Sequence, residues 1–362
     1  MRVVVTGATG NLGSSLVEAL AIDPGVQSVV GIARRAPSWT PPKTTWVAAD
    51  VRTAPLDELF EGADAVVHLA WIFQPTHDPV ATWDNNVRGA ERVFEAAARS
   101  GAGALVHASS VGVYRAGLGE GPADEGWPTD SLPTAAYGRE KAYLERVLDR
   151  VAAQQPLLRV VRMRPYFLFR RAAASSQRRI FAGPFLPTSL LRRRLPKVPV
   201  PAGIRFQALH TADAAEAFRR ALHEPVRGAF NLAAPPPIGP EELAAALGGE
   251  PLVVPLPVVR AAVAAAWHAR VLPASPHLVD LVAGLPLLDC GRARDELGWS
   301  PTRSGTEALD ELVEGLRHRA SFPTPPLAPD RPLRSDELVS GVGTFTSPPV
   351  ADPTRPAGPD TR

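Results

Sequence analysis

The chain opens with an apolar run, a glycine-rich turn and a helical pattern in direct succession, and this order constrains its fold more than any other feature. Val3–Val5 is strand-like, glycines follow at positions 7, 10 and 13, and apolar residues recur at helical spacing over 12–21. Glycine permits a tight turn and lets backbone amides approach a pyrophosphate at a helix N-terminus, where the helix dipole favours negative charge. The pattern predicts a dinucleotide-binding loop with contacts from Gly7, Thr9, Gly10, Asn11, Leu12 and Gly13.

Strand-like and helical patterns continue to alternate through the first half of the chain. Helical patterns at 12–21, 80–100 and 135–153 lie among short apolar runs, which are Ser28–Ile32, Trp46–Ala49, Ala65–Leu69, Ala104–Ala108 and Arg159–Met163. Strands of near-continuous Val, Ala and Leu content, separated by helical crossovers, indicate a parallel sheet covered on both faces. The predicted fold class is therefore α/β, with a Rossmann-type doubly wound parallel sheet.

This alternation stops after Pro165, where we predict a smaller, interleaved, mainly helical substrate lobe. A helix over His210–Leu222 and a strand over Gly228–Leu232 are expected to return to the sheet. The last 42 residues hold ten prolines and little periodicity, which predicts a mostly disordered tail with a short docked piece around Asp336–Val342. The predicted divisions are a dinucleotide-binding domain at 1–165 completed by 205–233, the lobe at 166–204 and 234–319, and the proline-rich tail at 320–362.

The charges of the chain nearly cancel, because 39 Lys and Arg residues face 37 Asp and Glu residues for a net charge of +2. Without a strong positive field we expect a small-molecule substrate rather than nucleic acid. The single cysteine, Cys290, excludes an intramolecular disulfide framework and is predicted to pack as a small apolar side chain. Since the most apolar later stretch, 252–272, is interrupted by Pro, Arg and His, we expect a soluble cytoplasmic protein without a membrane partner. No motif predicts a metal site.

The end of the second strand bears on which dinucleotide is bound. A carboxylate there usually accepts a hydrogen bond from the ribose 2′-OH of NAD, but this chain has Ala33 at that place, followed by Arg34 and Arg35. Two guanidinium groups suit a 2′-phosphate, so NADP is favoured over NAD. The alternative interpretation is that both arginines are solvated at a strand end. Asp50, after the third strand, is expected to contact the adenine in either case.

Tyr137 and Lys141 lie four positions apart in a predicted helix, which places both side chains on one face. The chain contains only three lysines among its 39 basic residues, so a lysine at this position is notable. A compact ammonium can lower the pKa of a neighbouring group. Taken alone, the spacing also fits a solvated helix face. Ser109 and Ser110 follow the fifth strand and bring hydroxyl groups to the carboxyl edge of the sheet, where ligands bind.

Further short motifs accompany these residues. They are Asp50-Val51, His68-Leu69-Ala70, Asn86, Ser109-Ser110 ahead of Val113-Tyr114, Tyr137-Gly-Arg-Glu-Lys141, Arg164-Pro165, His210-Thr-Ala-Asp213, Phe230-Asn231-Leu232 and Ala293-Arg-Asp-Glu-Leu-Gly-Trp299. In this combination the chain resembles the extended short-chain dehydrogenase/reductase family, the NAD(P)-dependent epimerase/dehydratase group, to about residue 317.

This resemblance implies a role for each matching residue. Tyr137 would be the general acid/base, Lys141 would favour its phenolate and hold the nicotinamide ribose, and Ser110, rather than Ser109, would polarise the substrate carbonyl. Asn86 would support the active site through backbone and water contacts. The resemblance also implies a homodimer and further cofactor contacts from Val51, Leu69, Ala70, Arg164 and Pro165.

The substrate is less constrained by these motifs. Sugar-nucleotide members commonly have an asparagine and a Gly-Pro pair after Arg-Pro, whereas here Phe167 stands at the asparagine position and Arg170-Arg171 at the Gly-Pro position. Trp71, Phe73 and Tyr166 would line a more apolar pocket, or else they serve ordinary packing. Three hypotheses remain: an NAD(P)-dependent oxidoreductase acting on a hydroxyl or carbonyl group, a sugar-nucleotide epimerase/dehydratase with tightly bound NAD, and a non-catalytic NAD(P)-sensing protein. The arginines after the second strand favour the first.

Overall fold

A computed structural model describes residues 1–117, 121–183 and 196–329 of the chain. Its centre is a seven-stranded sheet in the order β10-β6-β5-β4-β1-β2-β3, and every neighbouring pair is parallel. The strands are β1 (Arg2–Thr6), β2 (Ser28–Ala33), β3 (Thr44–Ala48), β4 (Ala65–His68), β5 (Ala104–Ala108), β6 (Arg159–Pro165) and β10 (Gly228–Leu232). The Rossmann-type doubly wound sheet predicted from the sequence is confirmed.

Helices cover both faces of this sheet, as the near-continuous apolar strands require. On one face α1 (Asn11–Ile22) and α7 (Thr211–His223) pack together around Leu16, Phe218 and Trp299. On the other face lie α2 (Leu56–Phe60), α4 (Gly89–Arg99) and α5 (Ala136–Gln154), with Phe60, Phe94 and Leu148 among their buried side chains. The expected return of the chain over His210–Leu222 and Gly228–Leu232 is confirmed.

The helix predicted over 80–100 is interrupted. It consists of α3 (Pro79–Trp83), a π-helical turn at Asp84–Arg88, and α4. A π turn inserts one extra residue into a helix and often occurs at functional sites. Its consequence here is local, since Asn86 lies within the turn and its side chain is buried.

The remaining described residues form two small sheets and several helices beside the carboxyl edge of the large sheet. One sheet has the order β11-β9-β7 and the other pairs β12 with β8. These strands are β7 (Phe167–Phe169), β8 (Lys197–Pro201), β9 (Phe206–His210), β11 (Ala234–Ile238) and β12 (Glu250–Val254). The helices are α6 (Ala174–Phe181), α8 (Pro240–Leu247), α9 (Leu256–His268), α10 (Pro276–Gly284), α11 (Gly291–Leu297) and α12 (Gly305–His318). The part of the predicted lobe over 238–319 is mainly helical, while the domain boundaries themselves stay a prediction.

Past α12 the chain forms a compact turn over Phe322–Leu327, which we call the C-terminal strap. The Phe322 amide donates to the Leu327 carbonyl (2.9 Å), and the Leu327 amide donates to the Thr324 carbonyl (3.0 Å). Thr324 and Leu327 are buried. The sequence placed a docked piece at Asp336–Val342, which lies outside the described residues, and it assigned 320–329 to a mostly disordered tail. Within that tail, residues 320–329 are ordered by contacts with the body of the protein, since Phe322 packs on Trp39 and Leu327 is buried.

Within the described part of the chain, no helix combines the length and apolarity needed to span a bilayer.

Candidate active site

The predicted site residues converge at the carboxyl edge of the large sheet. The glycine turn follows β1, Leu69 and Ala70 follow β4, and Ser109 and Ser110 follow β5. Strand β4 lies between β1 and β5 and pairs with both. Because parallel strands present their carboxyl ends at the same edge, residues far apart in the sequence become neighbours there.

The glycine turn packs directly against the backbone that follows β4. Gly7 has a φ of +70°, and a Cβ there would lie 2.5 Å from the Ala70 nitrogen and 2.6 Å from the Leu69 carbonyl carbon. A Cβ on Gly13 would lie 2.3 Å from the Gly7 oxygen. Gly13 therefore requires glycine because other backbone atoms approach it closely. Gly7 requires glycine for the same reason and also for its positive φ. The turn thus brings together Gly7, Leu69 and Ala70, three of the residues expected at the cofactor.

The other residues of the turn lead into α1. Gly10 precedes the helix and caps it without a side-chain hydrogen bond. Asn11 Nδ2 donates to the Leu168 carbonyl (3.0 Å), which ties the turn to β7. Thr9 and Leu12 are buried, and the Thr9 carbonyl accepts a hydrogen bond from Thr324 Oγ1 of the C-terminal strap (2.8 Å).

Arg34 and Arg35 follow β2 and are exposed, and a contact of either with a 2′-phosphate stays a prediction. Asp50 is buried, and its carboxylate accepts from Arg52 Nη2 (2.8 Å), Arg52 Nε (3.1 Å) and the Arg52 amide (2.9 Å). Burial opposes ionisation of Asp50, but the Arg52 hydrogen bonds outweigh it and lower the pKa of this carboxyl group. The sequence did not single out Arg52, although its position two residues after Asp50 is compatible with such a pair. Val51, beside them, is buried against Gly89.

The structure distinguishes the two serines that follow β5. Ser109 Oγ donates to Glu145 Oε1 (2.5 Å), inside a buried ionic cluster. Ser110 Oγ instead accepts from the Gly112 amide (3.0 Å) and borders the same glycine as the Tyr137 ring, since a Cβ on Gly112 would lie 3.4 Å from Ser110 Oγ and 2.9 Å from Tyr137 Cε1. Consecutive residues in extended backbone point in opposite directions, so only one of the two can face the tyrosine.

Tyr137 is the second residue of α5, and its ring contacts small and aromatic residues. A Cβ on Gly112 would lie 2.9 Å from Tyr137 Cε1, so the glycine makes room for the ring. Phe73 stacks on the tyrosine with ring centroids 5.0 Å apart and an interplanar angle of 14°, and Trp71 meets it edge to face at 5.7 Å. Burial raises the pKa of Tyr137 to about 12, and the lowering influence of the nearby Ser110 hydroxyl offsets this rise only in part. Near neutral pH the phenol is therefore protonated.

Lys141 lies one turn further along α5 and is also buried. Its Nζ donates to the Ala108 carbonyl (2.6 Å) and lies 3.6 Å from the centroid of the Trp71 ring, a cation–π contact. Burial lowers the pKa of Lys141 to about 7, against the raising influence of Glu140 and Glu145. Burial is the largest influence on the Tyr137 pKa, and Lys141 is not among the groups that shift it, so the lowering by Lys141 that the resemblance implies stays a prediction.

Asn86 braces the loop that carries Trp71. Its Oδ1 accepts from the Ile72 amide and its Nδ2 donates to the Ile72 carbonyl, both at 2.9 Å. Asn86 Nδ2 also donates to Glu140 Oε2 (2.8 Å). The other carboxylate oxygen of Glu140, Oε1, accepts from Thr82 Oγ1 (2.7 Å). The backbone contact expected for Asn86 is thus present, whereas Glu140 and Thr82 were missed. Their partners come from distant parts of the chain, so no local signal reveals them.

Arg164 belongs to a buried ionic cluster beneath the serines. Its Nε and Nη2 each donate to Glu145 at 3.0 Å, and Nη1 donates to the Tyr114 hydroxyl (2.8 Å) and the Glu125 carbonyl (3.0 Å). The side chains of Arg164 and Glu145 are only 5% and 2% exposed, so the pair is fully enclosed. We interpret Arg164 as a residue that positions the strand end, and a contact with the cofactor stays a prediction for Arg164 and for Pro165, the last residue of β6.

Aromatic side chains dominate the side of the site that faces the smaller sheets. Phe181 packs edge to face on Phe73 at 5.5 Å, which extends the aromatic cover of Tyr137. Phe167, at the position expected for asparagine in sugar-nucleotide members, packs against Tyr166 (5.2 Å) and Phe206 (5.4 Å). Tyr166 is therefore a packing residue of this second cluster, and its hydroxyl is buried without a hydrogen-bond partner.

Two other residues have structural roles. His210 caps the N-terminus of α7, since its Nδ1 accepts from the Ala212 amide (3.2 Å). Burial raises the pKa of the Cys290 thiol to about 12, which fits the predicted packing role. In the described ranges, no group of three or more His, Cys, Asp and Glu side chains is arranged to hold a metal ion.

Comparison with known proteins adds independent evidence. The profile described as NAD dependent epimerase/dehydratase family matches residues 3–233. An uncharacterized protein of Mycobacterium tuberculosis H37Rv is 30% identical over 322 residues, covering 88% of this chain but 30% of that protein, so the chain spans about a third of that relative. An L-arabinose 1-dehydrogenase (NAD(P)(+)) of Haloferax volcanii is 39% identical over 119 residues, covering 32% of this chain and 42% of the enzyme. Among solved structures, the UDP-glucose 4-epimerase of Thermotoga maritima with UDP-glucose has a TM-score of 0.66 at 19% identity, covering 88% of this chain and 99% of that chain.

Proposed function

We propose that this chain, which belongs to the NAD dependent epimerase/dehydratase family, is an NAD(P)-dependent oxidoreductase that acts on a hydroxyl or carbonyl group of a small molecule. The observation that carries the proposal is the placement of Tyr137 and Ser110 together beside Gly112, at the sheet edge that also holds the glycine turn. A non-catalytic sensor of the dinucleotide has no need of this pair together with Lys141, which makes the sensing hypothesis the weakest of the three.

The glycine turn fits a dinucleotide. A side chain at Gly7 or Gly13 would overlap backbone atoms, so the turn offers only main-chain groups to a ligand, and the N-terminus of α1 follows immediately. Gly7, Gly10 and Gly13 with Thr9, Asn11 and Leu12 would hold the pyrophosphate, while Leu69 and Ala70 would line the adjoining groove. The nicotinamide, when bound, supplies or removes the hydride.

Tyr137 and Ser110 would act on the substrate oxygen. With its pKa raised to about 12, the Tyr137 phenol is a proton donor near neutral pH, which suits reduction of a carbonyl group. Ser110 would hold and polarise the same oxygen. Lys141, with its pKa near 7, can change charge in the working range and return a proton towards the phenol once it has been given up. Proton donation of this kind typically accelerates a reaction by about 10²–10⁴.

NADP is the cofactor that we favour. Arg34 and Arg35 follow β2 where a carboxylate would select NAD, and the Asp50 carboxylate is neutralised by Arg52. A third guanidinium near this end of the site reduces the repulsion that a 2′-phosphate would meet. The dehydrogenase relative from Haloferax volcanii bears both cofactors in its name, so related chains of this kind are not restricted to NAD.

For the substrate we favour an apolar carbonyl compound. Phe73 covers Tyr137 and Phe181 packs on Phe73, and Phe167 replaces the asparagine expected for a nucleotide diphosphate. The second candidate is a sugar-nucleotide epimerase with tightly bound NAD, and the similarity of fold to a UDP-glucose 4-epimerase supports it. An epimerase should retain its dinucleotide through purification, whereas a reductase must exchange it in every cycle. Mass spectrometry of the small molecules that copurify with the protein distinguishes the reductase from the epimerase. A panel of carbonyl and sugar-nucleotide substrates then tests turnover.

Tyr137→Phe tests the chemistry directly. This change removes one hydroxyl and keeps the ring that packs between Phe73 and Gly112, so we expect turnover to fall about 10²–10⁴-fold while the dinucleotide Kd changes by less than about threefold. Tyr143→Phe is the matched control, because that hydroxyl lies on the exposed side of α5 and donates to Glu91 (3.1 Å). Wild-type turnover in the Tyr137 variant would refute the proposed role.

A further inference from the structure

We propose that the C-terminal strap is a positioning element of the dinucleotide site, in which Thr324 and Phe322 hold the glycine turn and the β2–β3 loop in their binding conformation and so set how tightly the dinucleotide is retained. The inference rests on the proposed function, because it assumes that the glycine turn binds a dinucleotide. It adds a residue set that lies more than 300 positions from that turn in the sequence.

The first contact is with the glycine turn itself. Thr324 Oγ1 donates to the Thr9 carbonyl at 2.8 Å, and both residues are buried. Thr9 stands between Gly7 and Gly10, where the backbone has more conformational freedom than elsewhere. A hydrogen bond from outside the turn therefore restricts the segment whose amides must be aligned for a pyrophosphate, and pre-alignment reduces the entropy lost on binding.

The second contact is with the loop that follows Arg34 and Arg35. Phe322 packs edge to face on Trp39, with ring centroids 5.1 Å apart. Trp39 in turn lies 5.8 Å from Trp46 of β3, and its carbonyl accepts from Trp46 Nε1 (2.7 Å). The strap thus braces the β2–β3 loop against the edge of the large sheet, on the side where the adenosine half would lie.

The third contact connects the strap to α1 and α6. The Arg170 guanidinium lies 4.8 Å from the centroid of the Phe322 ring, and it also donates to Ser14 (2.7 Å) and Ser15 (2.9 Å) on α1. Arg179 Nη2 donates to the Pro326 carbonyl (3.4 Å). One short turn therefore joins both loops of the cofactor side to the residues that follow β7, and loosening it should affect the dinucleotide before it affects the substrate.

Thr324→Val in the full chain tests the inference, with Thr324→Ser as the matched control that restores the hydroxyl. By isothermal titration calorimetry we expect Thr324→Val to raise the Kd for NADP⁺, and for ADP-ribose as a fragment without nicotinamide, by about threefold to tenfold, while Thr324→Ser remains within twofold of wild type. The KM for the dinucleotide should rise more than kcat falls. Hydrogen exchange of the amides in residues 7–14 should be faster in the valine variant without ligand.

The outcomes are distinguishable. If the wild-type protein binds neither NADP⁺ nor NAD⁺, the proposed function and this inference fall together. If the wild type binds and Thr324→Val binds equally well, or if valine and serine weaken binding alike, the inference alone is overturned. Should the valine variant fail to fold, Phe322→Leu keeps the apolar volume but removes the ring contacts with Trp39 and Arg170, and an unchanged Kd in that variant would overturn the inference as well.

Discussion

Replacing Glu145 with glutamine should destabilise the protein more than any other single neutralisation of a carboxylate at this site. The carboxylate is 2% exposed and accepts from Ser109, Arg162 and Arg164. Glutamine has nearly the same shape as glutamate but carries no charge. Its amide NH₂ is a hydrogen-bond donor, so it cannot accept from the guanidinium N–H groups as the carboxylate oxygen does. Arg164, 5% exposed, would then be buried without a counter-charge, while Arg162 keeps Asp149 at 2.6 Å.

The loss of stability expected for Glu145→Gln follows from the burial of the Glu145–Arg164 pair. Breaking a buried pair by removing one partner costs about 3–5 kcal/mol, a large share of the roughly 5–15 kcal/mol that stabilises a typical domain. With an unfolding entropy of about 2.1 cal/mol/K per residue, a chain of 362 residues should lose roughly 4–7 °C in Tm. Differential scanning calorimetry at pH 7 measures this shift. Glu95→Gln is the matched control, because its pair with Arg99 is 65% and 58% exposed and such surface pairs contribute about 0–1 kcal/mol.

The pH dependence provides a second check with a defined sign. Burial raises the pKa of Glu145, but the combined lowering by Arg164 and Arg162 is larger than this rise. The folded pKa of Glu145 therefore lies below the value of 4.5 for an unperturbed glutamate. Its stabilisation is fully present above that value and is lost as the pH falls through the folded pKa. The Tm difference between wild type and Glu145→Gln should therefore be constant between about pH 7 and 5.5 and should narrow in acid. A difference below 1 °C at pH 7, or one that persists unchanged at pH 3, would contradict the ionic interpretation.

Two further substitutions test the cofactor side. Gly7→Ala places a Cβ 2.5 Å from the Ala70 nitrogen in a backbone of φ +70°, so this variant should lose several degrees in Tm and should not bind the dinucleotide. Gly121→Ala is the control, because a Cβ there has no atom within 4 Å and should change neither property. Equal Tm values for the two variants would argue against the close approach at Gly7. Replacing Arg34 and Arg35 together with alanine should raise the KM for NADPH about 10–100-fold and that for NADH less than about threefold, and an equal rise for both would remove the 2′-phosphate argument.

The sheet and the family could be predicted because their signals are local. Apolar runs separated by helical patterns indicate parallel strands, and three glycines after the first strand indicate the turn that Gly7 and Gly13 form. The sequence also indicated which face of α5 carries Tyr137 and Lys141, since a spacing of four residues fixes this geometry. These features depend on short-range patterns, which a single sequence contains in full.

The supporting side chains could not be predicted, because their partners are set by the tertiary arrangement. The resemblance favoured Ser110 over Ser109 at the substrate, but the contact of Ser109 with Glu145 depends on the direction of the backbone after β5, which no local pattern indicates. Glu140 resembles any helical glutamate until the π turn brings Asn86 against it.

The C-terminal strap was missed for a compositional reason. Its proline content suggested disorder, although Phe322 and Leu327 at its ends are the apolar residues that allow it to pack.

The stacking of Phe73 on Tyr137 has a stereochemical consequence. A phenol whose ring face is covered by Phe73 and whose edge borders Gly112 has little freedom to turn, so its oxygen is presented in one direction. On the proposed mechanism, the carbonyl group must then approach with a single prochiral face towards the hydride. The alcohol product should accordingly be formed as one enantiomer, whichever apolar ketone the protein accepts.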